Sequence, residues 1–341
     1  MRRVGFLSVH RWLGLLLAPF LLIQALTGAF LVVHELVSVA PPAAQPPVSA
    51  FLAGSRQALP GFRVDRLYLP GSTSARGFAE MSGATGELAY AELDPAAGRA
   101  ISTGALWRFP YRAIVQIHYR LSSGAFGMVV VCALGLALVG AAVSGFVFWW
   151  PGRGRVLQAL KVRRSLPPRM RLRQWHRSTG AVAAALALFS GTTGVLLIAP
   201  DIPAAIAPGA APAAPDPAPA TAQMVDRAVL AAQARFPGAT LRDIRLPRAD
   251  RIDLNFDAPE RNARAVHAVS VRLSDGAIIK AIPASGNPVL WMKVLALHTG
   301  QSLSAIGPLL LLVEAAALVF LAWAGTKMWL AARKPKGKAR P

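Results

Sequence analysis

Four stretches of this 341-residue chain are long and apolar enough to cross a lipid hydrocarbon core, and no other feature narrows the fold as much. They run from Trp12 to Val33, Ala125 to Trp150, Ala181 to Ala199 and Leu303 to Trp329. A core of ~30 Å takes ~20 helical residues, and inside it every backbone N–H and C=O must be satisfied internally. Helices meet that demand. Hydrophobic residues make up 54% of the chain and charged ones 16%, which points to a polytopic membrane protein. The first stretch exceeds the ~7–15 apolar residues of a secretory signal, so it is expected to remain as a helix.

The net charge of +21 (37 basic against 16 acidic residues) is gathered in three places. Arg153, Arg155, Lys161, Arg163, Arg164, Arg169, Arg171, Arg173 and Arg177 lie between the second and third stretches. Lys327 lies at the end of the fourth, Arg333, Lys334, Lys336, Lys338 and Arg340 follow it, and Arg2 and Arg3 precede the first. Loops rich in Lys and Arg stay cytoplasmic, so both termini and the central loop are expected inside. Topology and attraction to anionic lipid account for the charge, and nucleic-acid binding is set aside. Cys132, the single cysteine, lies in the second stretch and reads as a packing residue. The chain has no C-x-x-C-H, so covalent c-type haem attachment is excluded.

The sequence is written twice. His10-Arg11-Trp12-Leu13-Gly14 and His176-Arg177-Ser178-Thr179-Gly180 open the first and third stretches, an offset of 176 − 10 = 166 that also carries Thr27-Gly28 onto Thr193-Gly194. His118 and Gly127 head the second stretch as His298 and Gly307 head the fourth, an offset of 298 − 118 = 180. That offset also takes Gly145 onto Gly325, Trp149 onto Trp329 and Arg153 onto Arg333.

The two outward segments repeat as well. Each starts with a Pro/Ala-rich tether, Pro41 to Pro47 and Pro208 to Pro219, a composition that favours extended linkers. Ala58-Leu59-Pro60-Gly61 through Leu69-Pro70 matches Arg235-Phe236-Pro237-Gly238 through Leu246-Pro247, at 237 − 60 = 177. Met224 to Phe236 has helical spacing, and Arg251 to Phe256 and Ala265 to Leu273 alternate as strands. Ser274-Asp275-Gly276 turns into Ala277 to Lys280, and Asp94-Pro95-Ala96-Ala97-Gly98 makes the matching turn before Arg99.

Helix-plus-hairpin domains with a D-P-x-x-G-type turn, set between helices that open H-R-x-x-G, resemble the PepSY-associated transmembrane family over nearly the whole chain. The resemblance implies a protein of the bacterial inner (cytoplasmic) membrane tied to iron acquisition. Some members are similar to dihaem ferric-siderophore reductases, which pass electrons to a periplasmic iron chelate. The expected fold is membrane α-helical, with four transmembrane helices as two pseudo-symmetric hairpins, each with a small α+β PepSY-like periplasmic domain inserted. Helices are assigned to 1–39, 111–151, 176–200 and 289–332, the domains to 40–110 and 201–288, and basic cytoplasmic segments to 152–175 and 333–341.

Two parallel copies related by an axis along the membrane normal would face equivalent residues at equal depth. His10 and His176 would then meet near the cytoplasmic face, and His118 and His298 near the outer face. Imidazole is a common haem-iron ligand, so each pair is a candidate to hold one haem b, and two haems are expected because one macrocycle is shorter than the bilayer is thick. Taken singly, each histidine reads equally well as an interfacial polar residue; pairing favours ligation. Arg11 and Arg177 suit haem propionates, with topogenic charge as the alternative. Gly14 and Gly180 sit one turn past their histidines, where a flat group could approach, but taken alone they, Thr27-Gly28 and Thr193-Gly194 read better as close helix contacts.

His34 has no counterpart, since 34 + 166 falls on Pro200. It lies 34 − 10 = 24 residues past His10, ~36 Å along a helix, and is a candidate ligand or contact for an iron complex together with Glu35. His267 is expected as a solvated strand residue. Glu314 is the one carboxylate deep in an apolar stretch and is costly there unless paired or protonated. Trp149, Trp150, Trp323 and Trp329 fit interfacial belts. Zinc is disfavoured because the histidine pairs belong to opposite membrane faces.

The functional expectation is an inner-membrane b-type haem protein that moves electrons from the cytoplasmic side to a ferric siderophore or other Fe(III) chelate. No flavin or nicotinamide fingerprint is present, so the electron donor would be a separate cytoplasmic or membrane partner. The alternatives are a non-enzymatic PepSY scaffold that regulates a protease or transporter, and an iron-chelate permease without redox activity.

Overall fold

The computed structural model describes residues 3–37, 45–71, 75–207, 220–247 and 250–333. Apart from Gln45, Pro46 and Pro47, the two Pro/Ala tethers lie outside these, as do Arg2 and the tail from Lys334. In chain order the helices are α1 (Arg3–Leu36), α2 (Val48–Ala58), α3 (Pro110–Arg120), α4 (Gly124–Trp149), α5 (Val156–Leu160), α6 (Pro168–Ile198), α7 (Ile202–Ile206), α8 (Ala222–Gln233), α9 (Leu290–His298) and α10 (Ile306–Arg333). The strands are β1 (Arg63–Tyr68), β2 (Gly77–Ser82), β3 (Leu88–Leu93), β4 (Ala100–Gly104), β5 (Leu241–Arg245), β6 (Ile252–Asp257), β7 (Val266–Val271) and β8 (Ile278–Ile282). They form two compact units.

The helical unit comprises Met1–Val32, Ile114–Ala207 and Leu297–Pro341. Spans suited to crossing a membrane cover Leu7–Leu36, Gly124–Trp149, Pro168–Ile206 and Ile306–Arg333, so the chain is a multi-pass membrane protein. Leu16, Phe126, Val182 and Leu309 leave their side chains exposed, as lipid contact allows. The buried seam is built from small residues. Ala183, Ala184 and Ala187 are buried on α6, and a Cβ on Gly191 would lie 3.2 Å from the Gly135 carbonyl oxygen of α4. Small side chains let these backbones approach, which is where packing energy between membrane helices comes from.

The chain breaks sharply before α4, where Leu121, Ser122 and Gly124 take positive φ. Gly127 then backs onto the end of α3, and a Cβ there would lie 1.7 Å from the Arg120 carbonyl oxygen. The same device precedes α10. Gly300 has φ +75°, and a Cβ on Gly307 would lie 1.8 Å from its carbonyl oxygen. The sequence reading runs each of these regions, 111–151 and 289–332, as one helix; the left-handed residues divide each in two.

The second unit comprises Val33–Ala113 and Pro208–Ala296. Its strands form one antiparallel sheet in the order β4-β3-β2-β1-β5-β6-β7-β8. The two insertions, expected as separate small domains, are therefore halves of one sheet, joined where β1 pairs with β5. Leu67 pairs with Ile244, the residue at its own repeat offset, 67 + 177 = 244. Alternation places Val64, Leu67, Ala79, Met81, Ala91 and Leu93 in a core completed by Phe51 and Leu52 of α2 and Val225, Ala228 and Ala232 of α8. Each fully buried large side chain contributes about 1.5–3 kcal/mol, and a half-sheet alone would bury too little to persist. The D-P-x-x-G turn forms as its sequence implies: Asp94 Oδ1 accepts from the N–H of Ala96 at 2.7 Å and of Ala97 at 3.0 Å.

A polar knot ties the seam. Asp243 is fully buried; Arg66 Nη2 donates to its Oδ1 at 2.9 Å, Asn255 Nδ2 to the same oxygen at 3.1 Å, and Arg242 Nε to Oδ2 at 3.0 Å. Burial raises the carboxyl pKa, but Arg66 and Arg242 outweigh it and hold Asp243 below its ordinary value. Its contribution is therefore full above about pH 4 and is lost as pH falls through the lower folded value. Asp243→Ala strands buried guanidinium charge and should cost about 3–5 kcal/mol, read as a lower midpoint in thermal unfolding of the full chain in detergent. An unchanged midpoint would contradict this account of the seam.

Candidate functional site: two facing histidine pairs

The helical unit brings the repeated histidines together in two places. His10 on α1 faces His176 on α6 with ring centroids 6.4 Å apart. His118, at the end of α3, faces His298, at the end of α9, at 6.3 Å. Gly28 on α1 touches the His118 ring, and Gly194 on α6 touches the His298 ring. Each glycine lies 18 residues past the paired histidine on its own helix, roughly 27 Å of rise, so the pairs sit at opposite ends of the unit.

Second partners fix the rings and their tautomers. Thr27 Oγ1 donates to the Ile23 carbonyl at 2.7 Å, so its oxygen is left to accept the Nδ1–H of His118 at 2.9 Å. Thr193 repeats this, donating to the Phe189 carbonyl at 2.8 Å and accepting the Nδ1–H of His298 at 2.9 Å. His10 Nδ1 donates to the Ala141 carbonyl at 3.2 Å. In all three the proton is on Nδ1, and Nε2 keeps its lone pair. Burial pushes the pKa of both His118 and His298 down, which holds them in the neutral form that binds metals. His176 Nδ1 is buried without a hydrogen-bond partner.

Four glycines shape the pockets, and they repeat as the histidines do. A Cβ would lie 3.2 Å from His118 Cε1 at Gly28, 3.4 Å from His298 Cε1 at Gly194, 3.0 Å from His10 Cε1 at Gly145 and 3.5 Å from His176 Cε1 at Gly325. The sequence shows these offsets, but there Gly28 and Gly194 read as helix contacts and Gly145 and Gly325 carry no assigned role. The signal was the shared offset of each glycine with a histidine. At Gly14, one turn past His10, a Cβ would meet nothing within 4 Å.

Two imidazoles on opposite sides of one metal place their centroids roughly 6.4 Å apart, from metal–nitrogen bonds of about 2 Å and ring radii of about 1.2 Å. Both pairs have that spacing. Among the described residues no third His, Cys, Asp or Glu joins either pair to complete a metal site. Each pair thus offers two imidazole nitrogens.

The remaining candidates fall elsewhere. Arg11 and Arg177 are exposed on α1 and α6, and Arg177 lines a recess of about 250 Å³ with Arg155, Lys161 and Arg163. His34 stacks on Tyr111 with centroids 4.1 Å apart, within the sheet-bearing unit, and belongs to neither pair. Glu35 accepts from Arg264 Nη2 at 2.8 Å through each oxygen, so its charge is already matched. His267 is not solvated: its side chain is 15% exposed, it stacks on Phe236 at 4.1 Å, and its Nδ1 accepts the Ala284 N–H at 3.0 Å. It lines a recess of about 660 Å³ with Arg235, Phe236, Asp257 and Glu260. Of the belt tryptophans, Trp149 is buried while Trp150 and Trp323 are exposed.

Membrane-crossing helices that enclose two preorganised imidazole pairs, with an antiparallel sheet built from their two insertions, define a multi-pass membrane protein with paired-histidine sites. The chain belongs to the PepSY-associated TM region family, whose model matches residues 7–332. Comparison with curated proteins found no match. Gly145→Leu should drive His10 from its place and lower stability by about 1–3 kcal/mol in thermal unfolding, whereas Gly14→Ala, with open space and a better helix former, should be neutral or stabilising. Equal effects at the two positions would contradict the geometry.

Proposed function

We propose that the protein is an inner-membrane, b-type haem electron conduit with both termini cytoplasmic, delivering electrons to a ferric siderophore or other Fe(III) chelate on the periplasmic side. The observation that carries this reading is the 6.3–6.4 Å spacing of both imidazole pairs, with Nε2 free to bind in three of the four rings. A haem bound between each pair supplies one-electron chemistry and the donors that the protein lacks.

The chain's own residues orient and exclude. Thr27, Thr193 and the Ala141 carbonyl hold the rings, as outer partners of metal-bound histidines do. The glycines facing each ring leave room beside it, and Arg11 and Arg177 are positioned in sequence to meet carboxylates next to His10 and His176. In this reading the two helical hairpins are related pseudo-symmetrically and one pair lies toward each membrane surface, which the roughly 27 Å of helix between the pairs supports. The recess at Phe236 and His267 has the size of a small-molecule pocket and is the proposed docking place for the chelate.

The test is haem content of the purified full chain. A pyridine-haemochrome assay should give two haems per chain, with a Soret band that shifts on reduction. His10→Ala or His176→Ala should remove one haem, and His118→Ala or His298→Ala the other. Thr27→Val should weaken haem retention at the His118 pair about 10–100-fold without abolishing it. Colourless protein from haem-replete cells would overturn the reading in favour of a scaffold or permease.

A further inference from the structure

We infer that Glu314 is a redox-linked proton acceptor for the group held by His118 and His298, an inference that rests on the haem reading above. Glu314 lies about a third of the way along α10 and is 3% exposed. Its carboxyl accepts a hydrogen bond from the Ser190 hydroxyl of α6. The carbonyl of that same Ser190 accepts from Thr193 Oγ1 at 3.1 Å and is hydrogen-bonded by His298. Thr193 in turn holds the His298 Nδ1 at 2.9 Å. The carboxyl is thus linked to a candidate ligand through one residue, Ser190, whose hydroxyl meets the carboxyl and whose backbone carbonyl meets Thr193 and His298.

Nothing else at that depth can play this part. Between Arg11 and His34 on α1, Arg177 and Ile198 on α6, and Ile306 and Lys327 on α10, Glu314 is the sole ionisable side chain, and α4 adds only Cys132. The nearest others in sequence to the His118 pair are Arg120 and Tyr119, the latter donating to Asp201 at 2.6 Å. Packing does not explain the residue either. The position equivalent to Glu314 in the first half is Leu134 (314 − 180), and the position equivalent to Ser190 is Gln24 (190 − 166), whose Nε2 is buried without a partner. One half carries an ionisable element where the other carries leucine.

An ionised carboxylate in an apolar bundle is tolerated in proportion to nearby positive charge. An oxidised iron group carries one more positive charge than the reduced one. When one electron arrives from the separate reductant, that charge is lost, and Glu314 takes one proton from the aqueous phase to become the neutral acid. Ferric iron, carboxylate, electron and proton give ferrous iron and carboxylic acid, so charge and atoms balance. Reoxidation by the Fe(III) acceptor returns the proton.

The experiment is spectroelectrochemical titration of the haem-loaded full chain across pH. A tenfold change in proton activity per pH unit converts to about 59 mV for one proton and one electron, so one of the two potentials should fall with pH at a slope approaching that figure. Glu314→Gln, nearly isosteric, should flatten the slope, and Ser190→Ala should displace the pH range in which it appears. The reduced-minus-oxidised infrared difference spectrum should show a protonated-carboxyl band in the parent that Glu314→Gln lacks. Haem present with pH-independent potentials, or a slope retained in Glu314→Gln, overturns this inference alone. Protein that holds no haem overturns the proposed function and this inference with it.

Discussion

An imidazole buried among membrane helices has two nitrogens to satisfy, and the arrangement of the helical unit follows from that demand. One nitrogen is met by the protein. Thr27, Thr193 and the Ala141 carbonyl take the Nδ1 proton of three rings, and each threonine can do so because a carbonyl one turn earlier takes its own hydroxyl proton. The other, Nε2, is left without a proton in those three rings. Two such imidazoles facing each other at 6.3–6.4 Å are the feature on which the proposed function rests.

The turns before α4 and α10 serve the same end. Gly127 and Gly307 allow the backbone to fold against Arg120 and Gly300, where any side chain would overlap a carbonyl oxygen. His118 and His298 therefore come from short helices that end at the bundle rather than from the long membrane helices themselves. Their rings meet Gly28 and Gly194 on the neighbouring helices, which are the positions where a bare backbone is required.

Much of this was legible in the sequence because hydropathy and duplication are both local signals. The four spans, the helix α8, the strands β6 and β7 and the turn at Asp94 lie where spacing and turn residues put them. The meeting of His10 with His176 and of His118 with His298 was legible through shared offsets alone. What escaped was non-local. Pairing of β1 with β5 depends on two strands about 177 residues apart, and neither carries a mark of its neighbour. His267 looked like a surface strand residue because its partners, Phe236 and the Ala284 amide, come from other segments. The break after α3 escaped because Leu121 and Ser122 do not advertise left-handed backbone.

The shared sheet has a bearing on how the chain can be divided. The seam is held by the Leu67–Ile244 pairing, by Arg66 on Asp243 and by Ser49 on Asp226, all of which link the first insertion to the second. A fragment carrying one insertion would present β1 or β5 as a bare edge with open hydrogen-bonding groups. Because the residues that meet across the seam occupy corresponding places in the two copies, such an edge is already shaped to receive a second fragment of its own kind. Half-length pieces would accordingly tend toward self-association, and a continuous polypeptide is what keeps each edge for its sister.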